Sequence, residues 1–330
     1  MDKLSKPAGA ALRVLVLGGG GFIGRHAVGA LLAQGMTVEV GSRHPSRLAR
    51  RLPAEAHACG RRAVHFEHLL TPEAWLPSLQ DVDVVVNCVG ILRQRGRETY
   101  QRVHHLAPAA LAEACRRSGQ RLVHVSALGL QAPMRSGFLR SKADGELALR
   151  RSGANCCIVR PSLLDAERGG YGAAWIRRVA RWPVHALPAD AAGLIAALDV
   201  RDLGEALAGL ARRPRLDHGG RPCEFELGGG QAMSLRDYLA ALRSLHSRRP
   251  ALPVQVPGWL ARLASHACDL LHVTPFSFGH WELLRRDNLP LHNDLPALLG
   301  RAPRPVAGIA PAQGMLAPGL PAPGVQPQRA

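Results

Sequence analysis

Glycines near the start of the chain have the spacing that most directly indicates chemistry. The segment Leu15–Arg25 reads LVLGGGGFIGR and fits two registers, G-x-G-x-x-G from Gly19 and G-x-x-G-x-x-G from Gly18. In either register the bare backbone can turn sharply after a strand, and the N–H groups that open the next helix can face a pyrophosphate. We therefore predict a dinucleotide site that contains Gly18, Gly19, Gly21, Phe22, Ile23 and Gly24.

The type of dinucleotide depends on the residues that follow the second predicted strand. An acidic residue there would accept a hydrogen bond from the ribose 2′-hydroxyl of NAD. This chain has Ser42 and Arg43 instead, with Arg47 one helical turn later. Because a guanidinium suits the 2′-phosphate of NADP, we predict NADP(H) as the preferred cofactor and NAD(H) as the alternative.

Strands and helices alternate on both sides of the glycines. Apolar runs predict strands over residues 13–17, 37–40, 63–66, 82–89, 121–126, 155–159 and 223–227. Helical periodicity predicts helices over residues 22–34, 45–52, 72–79, 99–117, 136–151, 173–181 and 199–212. This alternation predicts an α/β fold, a doubly wound and mainly parallel Rossmann sheet with a smaller, mostly helical C-terminal part.

The pattern of elements and the composition divide the chain into four predicted parts. An N-terminal tail covers residues 1–12, and the Rossmann domain covers 13–230, including a substrate-side insertion at 163–198. A small helical part follows at 231–302. The rest, 303–330, is rich in Pro, Ala and Gly with almost no periodicity, which predicts a disordered tail.

The composition excludes several classes of protein. Hydrophobic residues make up 47% of the 330 residues, enough for a sizeable core. No apolar run is long enough for a membrane span, and Arg13 interrupts the one segment that imitates a signal peptide. The seven cysteines are odd in number and never spaced C-x-x-C, which favours a reducing compartment. We predict a cytoplasmic protein and leave open its peripheral attachment to the inner face of a membrane.

The basic excess is the least specific signal. There are 42 Lys and Arg against 25 Asp and Glu, a formal charge of +17 that is dispersed along the chain. Such a field attracts phosphate ligands, anionic lipid or nucleic acid. With 4% aromatic residues and no nucleic-acid motif, no specific nucleic-acid partner is predicted. The histidine pairs 65/68 and 104/105 lack a third ligand, so no metal is predicted either.

Four later segments extend the glycine pattern. They are VVVNCVG (Val84–Gly90), HVSALG (His124–Gly129), VRPS (Val159–Ser162) and LDVRDLGEAL (Leu198–Leu207). In order and spacing, residues 13–230 resemble the extended and atypical branches of the short-chain dehydrogenase/reductase superfamily. The resemblance implies that Cys88, Val89, Gly90 and Pro161 lie along the cofactor, and that Ser126 is the catalytic serine. It also places His68 and Leu69 where related chains hold the adenine with an acidic residue.

The superfamily's Y-x-x-x-K pair is altered in this chain. The matching stretch runs from Phe138 to Lys142, so the lysine is retained and the tyrosine is replaced by a ring that cannot transfer a proton. The resemblance implies that Ser126 and Lys142 are the remaining catalytic residues. Tyr100 and Tyr171, the latter in the GGYG loop, are the candidates to substitute for the missing phenol.

A narrower resemblance rests on SALG, RSKAxGE and VRPS. These motifs are similar to those of the NADPH-binding accessory subunit of respiratory complex I and of bacterial nucleoside-diphosphate-sugar epimerase-like proteins. The resemblance implies an NADP(H)-binding protein with weak or absent conventional catalysis and a scaffold or redox-sensing role in respiratory or quinone metabolism. Its partner would be an unknown small molecule or a respiratory-chain protein. The alternative is an active NAD(P)H-dependent reductase or nucleotide-sugar epimerase.

Overall fold

A computed structural model describes residues 11–308, except residue 273 and the side chain of residue 49. It contains strands β1 (Arg13–Leu17), β2 (Thr37–Ser42), β3 (Gly60–Ala63), β4 (Val84–Asn87), β5 (Arg121–Val125), β6 (Cys156–Pro161), β7 (Leu164–Asp165), β8 (Val184–Pro188), β9 (Leu194–Ile195), β10 (Leu198–Asp199), β11 (Asp217–His218), β12 (Arg221–Leu227), β13 (Met233–Ser234) and β14 (Leu252–Val256). Eight of them form one sheet in the order β11-β12-β6-β5-β4-β1-β2-β3, which is parallel except at β11.

Ten α-helices accompany these strands in the described part of the chain. They are α1 (Phe22–Ala33), α2 (Pro72–Trp75), α3 (Ala107–Ser118), α4 (Gly137–Ser152), α5 (Tyr171–Ala180), α6 (Val200–Arg212), α7 (Leu235–Ser244), α8 (Gly258–Leu271), α9 (Phe278–Leu284) and α10 (Leu295–Leu299). Helices α1 and α6 pack together over one apolar core, and α3 and α4 pack together over the other. The predicted doubly wound fold is confirmed.

The chain reverses its direction across the sheet at β1. This strand pairs with β2 on one side and with β4 on the other, because the chain runs outward from β1 to β3 and then returns past β1 to form β4. The loops that follow β1 and β4 therefore diverge and leave a crevice at the carboxyl ends of these strands. Proteins with this architecture bind their ligands in such a crevice. The glycines follow β1 directly and lie at this switch point.

The third strand differs from its prediction. It covers Gly60–Ala63 and not residues 63–66, so the apolar Val64 and Phe66 lie beyond its end. As the edge strand it has one neighbour and carries Arg62, whose guanidinium pairs with Glu39 of β2 at 2.6 Å. Charged side chains protect an edge strand from pairing with another chain, so an apolar pattern does not mark it.

The predicted helix over residues 99–117 begins with a wide turn. Residues Gln101–Leu106 form a π-helical segment that continues into α3. Pro108 near the junction supplies no N–H group. Such π turns are frequent at functional sites, and this one carries His104.

The C-terminal part includes the beginning of the predicted tail. Arg304 contacts Asp202 and Glu205, and Val306 and Ala307 are buried in a core shared with α7. Residues 303–308 are therefore packed, which corrects the predicted start of disorder at 303. The remainder of that tail, from 309, and residues 1–10 lie outside the described residues. Within the described part of the chain, no helix is long and apolar enough to cross a membrane.

Candidate functional site

The glycine loop closes tightly between β1 and α1. Gly18 has a φ of +72°, and its N–H group donates to the carbonyl of Gly41 at 2.9 Å. The Gly21 N–H group then donates to the Gly18 carbonyl at 2.8 Å. Helix α1 starts at the next residue, so its dipole and the N–H groups of its first turn lie at the crevice.

The glycines of this loop have different roles. A Cβ on Gly24 would lie 2.2 Å from the Gly18 carbonyl oxygen, and one on Gly19 would lie 2.6 Å from Val40. Both positions are closed by the packing of the loop on its own fold. A Cβ on Gly21 would meet only the Gly18 oxygen, at 3.0 Å, and its remaining surroundings are open. Among Gly19, Gly21 and Gly24, Gly21 is therefore the one that leaves room for a ligand.

A cavity of about 200 Å³ lies beside this loop. Its walls are formed by Gly18, Gly20, Gly21, Gly41, Ser42, Arg43, His44, Arg47, Leu48, Arg51, Val64, Phe66, Cys88, Val89, Gly90, Ile91, Glu98 and Val103. Bare backbone at one end, apolar walls and three arginines at the other fit the adenosine and phosphate groups of a dinucleotide. The predicted cofactor residues that do not line it are Gly19, Phe22, Ile23, Gly24, His68, Leu69, Lys142 and Pro161.

One carboxylate lies among the arginines of this cavity. The Arg43 guanidinium contacts the Glu98 carboxylate, 55 residues further along the chain. Both side chains line the cavity, so the pair joins the end of β2 to the loop after β4. Arg43, which we predicted to hold a 2′-phosphate, thus already has an anionic partner.

The wall of the cavity beyond β3 contains Val64 and Phe66, and not His68 or Leu69, which we predicted near the adenine. Val64 and Phe66 line the cavity, because β3 ends three residues earlier than expected. His68 is 52% exposed in its side chain and lies 3.8 Å from Glu67, and Leu69 packs against the sheet core. The Glu67 carboxylate has a buried oxygen, Oε2, with no hydrogen-bond partner among the described residues.

Lys142 and Phe138 lie one turn apart on α4. The Lys142 Nζ atom is 5.8 Å from the centroid of the Phe138 ring. Burial lowers the pKa of Lys142 to about 8, and the nearby Glu146 carboxylate opposes this shift. Ser126 follows β5 and is buried, and its Oγ atom lacks a hydrogen-bond partner within the described part of the chain. An amine and a hydroxyl are therefore available here, without the phenol.

Three rings surround Phe138. The ring centroids of His104, Tyr100 and His280 lie 5.5, 5.6 and 6.0 Å from that of Phe138. The tyrosine brought to the site is thus Tyr100, since Tyr171 begins α5 and is 55% exposed. The Tyr100 hydroxyl donates to the Leu92 carbonyl at 2.9 Å, and burial raises its pKa.

His104 is held as a neutral imidazole. Its Nε2 atom accepts from the Ile91 N–H group at 3.1 Å, so its proton is on Nδ1, which lies 3.0 Å from the Ser141 hydroxyl. That hydroxyl donates in turn to the Phe138 carbonyl at 3.0 Å. Burial, and secondarily the charge of Lys142, hold the pKa of His104 well below its usual value. This chain of hydrogen bonds fixes α4 against the π-helical turn.

A second neutral histidine, His124, is buried beside Asn87. His124 Nδ1 accepts from the Asn87 side-chain amide at 3.1 Å, and Asn87 Oδ1 accepts from the Val89 N–H group at 3.0 Å. Burial lowers the pKa of His124 to about 4. Sequence reasoning missed Asn87, His104 and Glu98 as site residues. The one signal for Asn87 was a polar residue in an otherwise apolar strand.

The GGYG loop lies against the start of α1. Arg25 donates to the Arg168 carbonyl at 2.9 Å, and a Cβ on Gly170 would lie 2.8 Å from the Phe22 ring. Gly169 and Gly170 both have positive φ, which lets the loop approach this closely. Phe22 therefore holds the GGYG loop and does not line the cavity. Over the described residues, no three His, Cys, Asp or Glu side chains are grouped to hold a metal.

The sequences of known proteins agree with the dinucleotide site described above. Residues 18–178 match a family described as NAD(P)H-binding. The "Ceramide reductase" of Caulobacter vibrioides is 31% identical over 208 residues, 62% of each chain. The Dictyostelium discoideum protein "NADH dehydrogenase [ubiquinone] 1 alpha subcomplex subunit 9, mitochondrial" is 26% identical over 51% of this chain and 47% of its own. The matched regions thus span less than two thirds of these relatives.

Solved structures show the same fold at lower identity. A UDP-galactose 4-epimerase aligns with a TM-score of 0.62 and 19% identity, covering 90% of this chain and 95% of its own. The Thermus thermophilus UDP-glucose 4-epimerase, in complex with NAD, aligns with a TM-score of 0.60 and 18% identity over 88% and 92%. The predicted fold is thereby confirmed, and so is the predicted resemblance to NAD(P)H-binding and epimerase-like proteins. Over residues 18–178, just under half of its length, this chain is thus similar to the NAD(P)H-binding family.

Proposed function

We propose that this protein holds NADPH at the switch point of the sheet and has lost the conventional proton transfer of its superfamily. The observation that carries the proposal is the benzene ring of Phe138 beside Lys142. The protein would act as a nucleotide-bound scaffold or redox sensor, because the residues that would bind the nucleotide are retained and the tyrosine that would transfer a proton is not. NADPH would supply a hydride when bound.

The preference for NADPH over NADH is supported by charge. Arg43, Arg47 and Arg51 line the cavity, and Glu98 is the one acidic residue among its lining residues. A 2′-phosphate would replace the Glu98 carboxylate as the partner of Arg43 and would remain close to two further guanidinium groups. NADH offers a hydroxyl at that place, which leaves the Arg43–Glu98 pair intact.

The retained residues can bind without catalysing. The Lys142 amine would donate to the ribose hydroxyls of the nicotinamide half, and Ser126 has a buried hydroxyl free to orient a ligand group. The Tyr100 hydroxyl is engaged with the Leu92 carbonyl, so it does not replace the phenol in the present arrangement.

The resemblance to a complex I subunit supports a respiratory-chain protein as the partner. Together with the cysteine usage and the basic excess, it supports a cytoplasmic protein attached peripherally to the inner face of a membrane. A quinone or another small redox molecule is the alternative partner.

A second candidate is an active NADPH-dependent reductase, which the 31% identity to a ceramide reductase favours. In that case the proton would come from a group near Phe138. Lys142, with a pKa of about 8, is mostly protonated at neutral pH, and its Nζ atom lies 5.8 Å from the centroid of the Phe138 ring. Its substrate would be a carbonyl compound related to ceramides, or a nucleotide sugar.

One preparation tests both candidates. The purified protein is examined by native mass spectrometry and by absorbance for co-purified NADPH, and then mixed with NADPH and aldehydes, quinones, nucleotide sugars and ceramide-related ketones. Bound NADPH without consumption supports the scaffold. Consumption at ordinary enzymatic rates, on the order of 1 s⁻¹ or faster, establishes the reductase. Absence of dinucleotide binding, in a folded protein, contradicts both.

A further inference from the structure

Helix α8 directs its large apolar side chains away from the protein. The residues on its protein side, Ala261 and Ser265, are small and buried. On its outer side Trp259 is 70% exposed, Leu263 is 60% exposed and Leu270 is 81% exposed. A surface helix normally buries its large apolar residues against the core, so the polarity of α8 is inverted.

The exposed apolar residues form a single face. At about 100° per residue, Trp259, Leu263 and Leu270 lie within about 40° of each other around the helix axis. Leu260 and Leu271, which are also exposed, widen this arc to about 120°. We refer to these five residues as the α8 face. Such a continuous face marks an interaction surface, whereas isolated exposed leucines do not.

The charges around the α8 face are positive. Between Ser247 and His272 the chain has Arg248, Arg249 and Arg262, all exposed, and a single acid, Asp269. That acid is engaged by Arg93, whose Nη1 atom lies 3.0 Å from Oδ1. An apolar face flanked by exposed guanidinium groups complements a surface that is apolar inside and anionic outside, which describes an anionic lipid interface.

The dimensions of α8 favour a position in the plane of such an interface. With 14 residues it is about 21 Å long, shorter than the hydrocarbon core of a bilayer at about 30 Å. Exposed apolar residues also precede it in the chain, on β14 at Leu252 and Val254. Leu252 lies in register with Val184 of β8, which is exposed as well.

We infer that α8 docks this protein on anionic lipid, with the α8 face among the acyl chains and Arg262 at the headgroups. This assigns a surface to the peripheral attachment in the proposed function, and it is independent of dinucleotide binding. The α8 face is on the C-terminal part and contributes no residue to the cofactor cavity.

Vesicle co-sedimentation of the full-length chain tests the inference. The vesicles are phosphatidylcholine alone and phosphatidylcholine with phosphatidylglycerol in a three-to-one ratio. Wild type should sediment with the anionic vesicles, and L263D/L270D should bind them about tenfold more weakly or worse. The matched control is L147D/L291D, which places two acids at exposed leucines outside α8 and should bind like wild type. R262Q should weaken binding to the anionic vesicles only.

Two further measurements make the outcome decisive. NADPH titration of the same variants should give wild-type affinity, so a failure of dinucleotide binding is seen separately from a failure of lipid binding. Light scattering after gel filtration reports whether the α8 face joins two copies of the chain. Equal vesicle binding by wild type and L263D/L270D overturns the inference. The inference is also overturned if wild type forms a dimer that binds neither kind of vesicle and the L263D/L270D variant is monomeric.

Discussion

The amine of Lys142 lies over the ring of Phe138, with Nζ 5.8 Å from the ring centroid. In the superfamily that this chain resembles, a tyrosine at position 138 would place a phenol beside the lysine. Here the lysine faces the edge of an aromatic cluster that also contains Tyr100 and His104. We propose that retention of the lysine without the phenol separates ribose binding from proton transfer.

Restoring the phenol is the most direct test of this separation. We expect Phe138→Tyr to raise NADPH-dependent turnover by about 10²–10⁴-fold over wild type, because general acid catalysis contributes that much. Stopped-flow absorbance with the carbonyl panel measures it, and Lys142→Ala in the same background should remove the gain. An unchanged rate with NADPH bound would show that substrate binding has been lost as well.

The Arg43–Glu98 pair predicts opposite effects of its two partners. Arg43→Ala should weaken NADPH binding by about 1.5–3 kcal/mol and leave NADH nearly unaffected, since it removes a charge-assisted contact to the 2′-phosphate. Glu98→Gln should strengthen NADPH binding, because it frees Arg43 and removes a like charge. Calorimetric titration with both cofactors decides this. If neither variant changes the NADPH/NADH ratio, Arg43 acts only in the ion pair.

Substitutions of the glycines between β1 and α1 should have two different effects, one on cofactor binding and one on folding. Gly21→Val should abolish dinucleotide binding in a protein that still folds, because its Cβ points into open space apart from the Gly18 oxygen at 3.0 Å. Gly24→Val should instead prevent folding, because a Cβ there would lie 2.2 Å from the Gly18 oxygen. Circular dichroism and NADPH titration distinguish the two. Binding retained by Gly21→Val would contradict the cofactor site.

Buried histidines should make the protein sensitive to mild acid. Burial lowers the pKa of His124 and of His280 to about 4, so the unfolded chain binds protons more tightly than the folded one between pH 6.5 and 4. Stability should therefore fall as the pH is lowered through this range, by about 2 kcal/mol per histidine at pH 5. Thermal melts at pH 7 and pH 5 measure it, and His280→Asn should reduce the difference. A flat profile would mean that these rings are solvated.

Asp202 should anchor the end of the described chain. Its buried carboxylate accepts from the Arg304 N–H group at 2.6 Å and from Arg301 at 2.8 Å. Asp202→Ala should destabilise the protein by about 2–4 kcal/mol, since two guanidinium groups lose a buried partner. Asp144→Ala, on the exposed side of α4, is the control and should change stability by less than about 0.5 kcal/mol. Equal melting temperatures for the two variants would show that residues 303–308 contribute nothing.

The sequence determined the parts of this protein that depend on local pattern. Four consecutive glycines after an apolar strand allow little other than a turn into a helix, and the apolar runs at residues 14–17 of β1 and 84–87 of β4 are buried throughout. The alternation of strands and helices then predicted the parallel sheet, and the later motifs drew attention to Lys142. Each of these features is set by neighbours within a few residues or by spacing along the chain.

The tertiary structure decided which distant residues meet. The contact of Arg43 with Glu98 joins two crossover loops, and the placement of Tyr100 rather than Tyr171 beside Phe138 follows from a π-helical turn. The charged edge strand β3 and the outward apolar face of α8 likewise have no local signature, because the same residues would be buried if another element covered them. Burial and pairing are properties of the packed chain, so these features appear only once the elements are assembled.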